Sequence, residues 1–397
     1  MPQASSSSRN VQIRARTARR WLAKLGFEYT VVRKGIYIDG HEREDVVKYR
    51  KNIFLPKFYE MLPRVVTWDE EGNMHIPQLP EGQKPIVIVT HDESTFNSHD
   101  GRRNVWTKNK EQPIRPKGRG RGIMVSDFLT PNGRLAFQDN LATEYLEYGQ
   151  DNYWTGESML AQLINKAIPI FEAAFPEFQA CFLFDNSSNH GVVAPDALVA
   201  SKMNLNPGGR QPKLHDGFDK SRGCSQSMVF PDNHPQFPGQ PKGIRQVLIE
   251  RGIWRQGLKL DCAPRAKCPV EGNCCARTIL AHQEDFRNQL GMVEEEVTAH
   301  GHVCLFYPKF HCELNWIEPY WGAAKKFARD NCDYTLNGLR KTVPLALASV
   351  SNVSILRYYK KCVRTMDAYR ADISYGTKEF RDRVYRSHRR VDDRDKW

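Results

Sequence analysis

A mixed sheet with helices packed on its faces, an α/β fold, is the fold class this 397-residue sequence predicts, on three observations. Short runs that are apolar on both faces recur, as strands buried between helices do: Ile86-Val87-Ile88-Val89, Ala180-Cys181-Phe182-Leu183-Phe184 and Val303-Cys304-Leu305-Phe306. Helical periodicity covers residues 158–175, between the first two runs, and about 315–329, after the third. A content of 40% hydrophobic and 11% aromatic residues is enough to bury a sizeable core, which excludes wholesale disorder. No apolar run approaches the roughly 18–20 residues of a membrane helix. The start, Met1-Pro2-Gln3-Ala4 and four serines, has no apolar signal segment, so a soluble intracellular protein is expected.

The elements follow in order. Residues 1–62 read as a basic helical region. Trp21, Leu22 and Leu25 recur at helical spacing, with Thr17 as N-cap and Gly26 as the stop, and Arg14, Arg16, Arg19, Arg20 and Lys24 decorate the remainder. Such a helix either enters a DNA groove or is a solvated helix closing a small subdomain. Residues 35–40 read as extended, 41–62 as a helix, and 63–84, rich in Pro, Gly and Glu, as a linker.

The core begins at Pro85. The strand 86–90 runs into His91-Asp92-Glu93-Ser94; a second strand, 122–129, turns at Thr130-Pro131-Asn132-Gly133 into a third at 134–137. Between the first two strands, residues 101–122 carry Arg102, Arg103, Lys108, Lys110, Arg115, Lys117, Arg119 and Arg121 against the single acid Glu111, with Trp106 interleaved. That loop reads as a DNA clamp or as a solvated hairpin tip. The strand 180–184 runs into Asp185-Asn186-Ser187-Ser188-Asn189-His190, where His190 either positions a phosphate or water or caps the turn. An insertion at about 200–295 precedes the last strand, and 331–397 reads as a basic helical tail.

Charge is concentrated at the ends. The formal net charge is +12, of which residues 1–60 carry +7 and residues 357–397 carry +6, leaving −1 between. A near-neutral folding unit with basic flanks suits a polyanion partner, although basic ends also serve solubility alone.

Three acids stand out. Asp92 and Asp185 each follow a strongly apolar strand, at the carboxyl edge where open α/β sheets gather functional residues. Glu318 falls in the first turn of a helix whose Ile317, Trp321 and Ala324 can face the sheet. Singly, each has a structural reading: a turn residue, an N-cap, a complement to the helix dipole. Together, three carboxylates from two strand ends and a helix can hold two Mg²⁺ or Mn²⁺ ions.

These residues also resemble a known family. Thr-His-Asp-Glu-Ser-Thr-Phe at 90–96, Phe-Leu-Phe-Asp-Asn-Ser-Ser-Asn-His-Gly at 182–191 and the block 307–326, with Asn315-Trp316-Ile317-Glu318 and Trp321-Gly322, resemble the DDE motifs of mariner-like transposases and related DDE-superfamily endonucleases, in the form found in fungal transposon-derived proteins. The resemblance covers roughly residues 85–330 and implies an RNase H-like fold with Asp92, Asp185 and Glu318 as the Mg²⁺- or Mn²⁺-binding catalytic triad. Glu313 stands at an acidic position of the motif that is not the catalytic one. The resemblance further implies cleavage and strand transfer on double-stranded DNA by two-metal chemistry, action as a homodimer, and residence in the nucleus.

The sequence departs from the family in two places. Asp92 to Asp185 spans 93 positions, near the family pattern, but Asp185 to Glu318 spans 133, where simple mariner-like enzymes need only a few dozen; the excess is the inserted subdomain. The family also carries two helix-turn-helix units ahead of its catalytic domain, and only the last helix of such a set fits residues 10–27, a truncated remnant. The alternatives are a catalytically silent, domesticated or truncated DNA-binding relic, and a ribonuclease or repair nuclease on the same fold, which the block at 312–322 opposes.

Within the insertion, Cys262, Cys268, Cys274 and Cys275 form a cluster, with Cys224 and His282 as outside partners to consider. The spacing is not the CxxC knuckle, so the cluster reads either as a structural Zn²⁺ site or as reduced, partly buried thiols.

Overall fold

The computed structural model describes residues 15–25, 38–102, 114–148, 153–187, 190–262, 268 and 273–385. At its centre β1 (Ile86–Asn97) and β2 (Gly122–Thr130) pair antiparallel, and β3 (Gly133–Arg134) and β4 (Glu144–Glu147) both pair antiparallel with β2. On the other side of β1, β5 (Gln179–Phe184) and β6 (Val303–Phe306) run parallel to it. The strand order β6-β5-β1-β2, closed by β3 and β4, makes a six-stranded mixed sheet. An antiparallel meander followed by two parallel strands is the RNase H-like arrangement.

Helices pack on the sheet and also build the N-terminal segment and the insertion. They include α1 (Ala15–Lys24), α2 (Glu44–Tyr49, continued through Arg50–Phe54 and Leu55–Met61), α3 (Gly156–Gln162, Leu163–Ala167 and Ile168–Ala174), α4 (Ile244–Glu250) and α5 (Ala276–Ala281). Then follow α6 (Met292–Ala299), α7 (Ile317–Asp330), α8 (Leu336–Ala348), α9 (Asn352–Arg370) and α10 (Lys378–Val384). Every residue of β2 is buried, as are Ile86–Val89 of β1 and Ala180–Phe184 of β5, which is why the latter two read as unbroken apolar runs. The rings of Phe128, Phe171, Phe182 and Phe184 interlock across this centre. Each such ring contributes about 1.5–3 kcal/mol by leaving water.

Several elements differ from expectation. The first strand does not stop near His91: every residue from Thr90 to Asn97 pairs with β2, so the partner strand carries it past the end of its apolar run. β4 is a four-residue edge strand with no buried residue, too little pattern to read. The segment 63–84 buries Val65, Val66 and Trp68 in the main core and forms a small hairpin of Thr67–Trp68 with Met74–His75. Residues 336–384 are not a tail: Leu339, Val343, Ile355, Met366 and Phe380 join the same core, while Arg357, Lys360 and Arg370 stay outside.

The insertion leaves the sheet without disturbing it. Met292 N donates to Val192 O at 2.9 Å, so the chain departs and returns at one point. Beyond that neck lies a separate apolar cluster, including Leu198, Met228, Ile244, Leu248, Ile279 and Leu280, crossed by a buried Arg251–Asp285 ion pair of 2.6 Å. The long Asp185–Glu318 spacing is thus a side excursion between two adjacent strands.

One polar post ties the sheet to its helices. Asp127 on β2 is fully buried, and accepts from Arg134 Nε at 2.8 Å, Thr143 Oγ1 at 2.7 Å, Phe128 N at 3.0 Å and Tyr320 of α7 at 3.2 Å. Asp127→Ala is expected to cost about 3–5 kcal/mol, because it strands the Arg134 guanidinium in a site only 14% exposed. Urea denaturation would register that loss as a lower midpoint.

Candidate active site

Register brings the two aspartates together. Thr90 is the last β1 residue paired with β5, opposite Leu183; Asp92 and Asp185 each lie two residues further on, at the same level of neighbouring parallel strands. Strand alternation points Asp92 to the same face as Thr90, toward α7.

Asn315 sets the position of α7. Its Oδ1 accepts from Thr90 Oγ1 at 2.7 Å and from Ile317 N at 3.3 Å, and Thr90 also meets the Tyr307 hydroxyl at 3.1 Å. The helix then buries Ile317, Tyr320, Trp321, Ala324 and Ala328, a stripe of helical period that lies against the sheet. Glu318 is left exposed in the first turn, and Trp321 Nε1 donates to Asp92 Oδ2 at 3.1 Å.

Asp92, Asp185 and Glu318 line one open cleft of about 360 Å³, with Asn186, Lys309 and Cys312 also on its wall. They share the cleft without closing up: among the described residues, the triad is not one of the groups whose ligand atoms all stand within 4.8 Å of each other. Charge repulsion acts in that direction. Burial, together with the negative charges of Glu318, Glu93 and Asp185, holds the Asp92 carboxyl well above its usual range. Although Glu318 meets solvent, the protein walls of the cleft partly desolvate its carboxyl and raise it, opposed by Lys325 and reinforced by Asp185. Three hard oxygen donors with unfavourable mutual charge are a set that Mg²⁺ or Mn²⁺ fits, since a divalent cation offsets the repulsion.

Asp185 has a different support. Burial would raise its carboxyl, but hydrogen bonds from His190 and Ser187 hold it below the ordinary value. His190 Nδ1 lies 2.5 Å from Asp185 Oδ1, and its Nε2 faces Glu93 Oε1 at 3.9 Å. Burial lowers that imidazole, yet Asp185 and Glu93 together raise it above the usual histidine value. Glu93 in turn accepts from Trp154 Nε1 at 2.7 Å. His190 therefore contacts the carboxylate directly in addition to standing in the turn. Glu93 and Lys309 are neighbours of the triad that sequence reasoning passed over; the signal for Glu93 was its adjacency to Asp92.

Glu313 belongs elsewhere. Burial pulls it up, but hydrogen bonds from His311, His41 and Tyr369 hold it at about 2. Its Oε1 stands 2.6 Å from His311 Nδ1 and accepts from Tyr369 at 2.7 Å, joining the turn before α7 to α9.

The basic residues distribute as follows. Arg14, Arg103, Lys108 and Lys110 lie outside the described residues. Arg16, Arg19, Arg20 and Lys24 are exposed on α1, where Thr17 falls within the helix because it begins at Ala15; Trp21, Leu22 and Leu25 are exposed too. In the β1–β2 loop, Arg102 pairs with Asp330 at 2.8 Å, Arg115 donates to the Arg102 carbonyl, and Lys117, Arg119 and Arg121 are exposed. The loop sits at the end of the hairpin that carries Asp92 beyond β5. Cys262, Cys268, Cys274 and Cys275 do converge, and neither Cys224 nor His282 is in their group.

The carboxyl shifts carry a pH dependence. A carboxyl that titrates above its unfolded value contributes its full stability below about pH 4 and loses that contribution as pH rises through the folded value. In EDTA, Asp92→Asn is therefore expected to melt higher than the wild type at neutral pH, by a few degrees, with the gap closing toward pH 4. Thermal melts across that range check it; a gap independent of pH would mean that Asp92 is not the strained group.

No protein-family model matches the chain, and no curated protein matches it in sequence. Among solved structures, the chain is similar to the Mos1 mariner paired end complex with Mn, at 14% identity over 91% of this chain and 72% of that one, with a TM-score of 0.48. It is similar to the Mos1 Strand Transfer Complex at 13% identity over 91% and 71% of the two chains, with a TM-score of 0.47. It is also similar to the catalytic domain of Mos1 mariner transposase, at 11% identity over 83% and 95%, with a TM-score of 0.36.

Proposed function

We propose that this chain is a DDE-type, transposase-like endonuclease that cuts phosphodiester bonds of double-stranded DNA. The observation that carries the reading is the meeting of Asp92, Asp185 and Glu318, 226 residues apart from first to last, on one cleft at the carboxyl edge of an RNase H-like sheet. The motif resemblance at 90–96, 182–191 and 307–326 supports the same three residues. Strand transfer, action as a homodimer and nuclear residence belong to the proposal.

Each group has a task in this reading. Asp92, Asp185 and Glu318 hold the divalent ions, and Trp321 orients Asp92 through its indole N–H. When bound, Mg²⁺ or Mn²⁺ supplies a more acidic water or 3′-hydroxyl for in-line attack and offsets charge on the leaving oxygen. Asp185 stays ionised because His190 donates to it, and His190 balances the adjacent Glu93. Lys309 on the cleft wall offers a cation to a phosphate, and the exposed Lys117, Arg119 and Arg121 extend a basic track beyond the hairpin.

Plasmid nicking by the purified chain in Mn²⁺ tests the chemistry. Asp92→Asn, Asp185→Asn and Glu318→Gln are expected to abolish nicking while binding DNA as well as the wild type. His190→Gln is expected to lower it about 10–100-fold, as loss of a partner that orients a ligand does. Variants that cut like the wild type would remove the triad from the reaction; binding without any wild-type cutting would favour the silent relic. Separately, a Lys117→Ala/Arg119→Ala double variant is expected to flatten the salt dependence of duplex binding by about 0.9 in log–log slope for each phosphate that is no longer neutralised. An unchanged slope would place the DNA on another surface.

A further inference from the structure

Three groups of metal-ligating side chains close to within 4.8 Å among the described residues: His41–His311–Glu313, His91–Glu93–His190, and the four cysteines 262, 268, 274 and 275. The first is already satisfied, with Arg50 NH1 on His311 Nε2 at 3.1 Å bringing a fixed positive charge against any cation. The second abuts the catalytic carboxylates. The third lies in the inserted subdomain, contributes none of the residues that line the cleft, and is made of soft ligands alone.

From the convergence of Cys262, Cys268, Cys274 and Cys275 we infer a structural zinc site that pins the inserted subdomain. Zinc with Zn–S bonds of about 2.3 Å in a tetrahedron holds its sulfurs about 3.8 Å apart. Mutual approach within 4.8 Å leaves a contraction of about 1 Å, whereas disulfides need sulfurs at about 2.05 Å. All four are free thiols.

The loop bearing them is closed at its base independently of the thiols. Ala276 N donates to Lys259 O at 2.9 Å, Arg277 N to Leu260 O at 3.1 Å, and the Arg277 guanidinium pairs with Asp261. Cys275 sits at the N-cap of α5, only 2% exposed, and so connects the site to the subdomain's core through Ala276, Ile279 and Leu280. The Cys275 sulfur also lies 2.9 Å from Thr278 Oγ1, a hydrogen bond that ties it to the first turn of α5. On binding, the four thiols become thiolates and release their protons to solvent, with no change of oxidation state. The reason for such a site is local: the second core is small, and a metal crosslink adds what its apolar contacts lack.

Metal analysis of the full chain purified under reducing conditions tests this independently of DNA cleavage. The expected result is about one zinc per chain, and, after exchange with Co²⁺, visible bands of tetrahedral cobalt with thiolate charge transfer in the near ultraviolet. Cys262→Ser and Cys274→Ser should lose the zinc, while Cys224→Ser and Asp92→Asn keep it, which separates this site from the carboxylate cleft. Zinc-free wild-type protein that gives no such cobalt spectrum would overturn the proposal, as would zinc retained by both cysteine variants. Recovery of the four cysteines as two disulfides by mass spectrometry after alkylation would overturn it as well.

Discussion

Five residue pairs of parallel ladder, Ile86–Thr90 against Gln179–Leu183, are the constraint on which the remainder of the RNase H-like unit depends. Both segments are apolar on both faces, so they are stable only between helices, and a slip of one residue would turn Asp92 to the opposite face. With the register held, Asp92 and Asp185 stand side by side where the ladder ends. Thr90 then offers its hydroxyl to Asn315, which starts α7 and sets Glu318 over the same edge. The three acids meet because one ladder and one hydrogen bond set their origins.

The same sheet shows two outcomes for a partly or fully buried carboxylate. Asp92 and Asp127 are direct cross-strand partners on one face. Asp127 is surrounded by donors, one of them the Arg134 guanidinium, and holds strands and α7 together. Asp92 meets the Trp321 indole and the negative charge of Glu318, Glu93 and Asp185. A group placed amid like charges is destabilised unless a proton or a cation joins it, which is the physical mark of a ligand rather than a strut. The His190 contact adds a third arrangement, a carboxylate held ionised by an imidazole that also answers to Glu93.

The insertion keeps its folding problem to itself. A single neck at Val192 and Met292 lets it grow between two adjacent strands without altering their pairing. Its own cluster and buried Arg251–Asp285 pair give it an interior. By contrast, residues that precede and follow the sheet in sequence are tied together beside α7: His41 and Tyr369 both reach Glu313, and Tyr59 donates to Asp367.

The sequence by itself determined what depends on local pattern: the strands at 86, 180 and 303, the helix over the sheet and the order of the three acids. The strands at 86 and 180 were legible because full burial on both faces writes an unbroken apolar run, and because an acid directly after such a run is costly without a reason; the strand at 303 is apolar throughout although only Leu305 is buried. Tertiary structure alone decided the rest. The extension of β1 to Asn97 comes from its partner β2; the edge strand β4 is too short and too exposed to announce itself. The helices from Leu336 to Val384 hide apolar stripes among basic residues, so composition suggested a tail where packing makes a core. Asp127 looks like any strand aspartate until Arg134, Thr143 and Tyr320 arrive from three elements. The meeting of four cysteines with unfamiliar spacing likewise depends on the closure of a loop. In each case the deciding partner lies outside the segment being read, and contact between segments carries no pattern of its own.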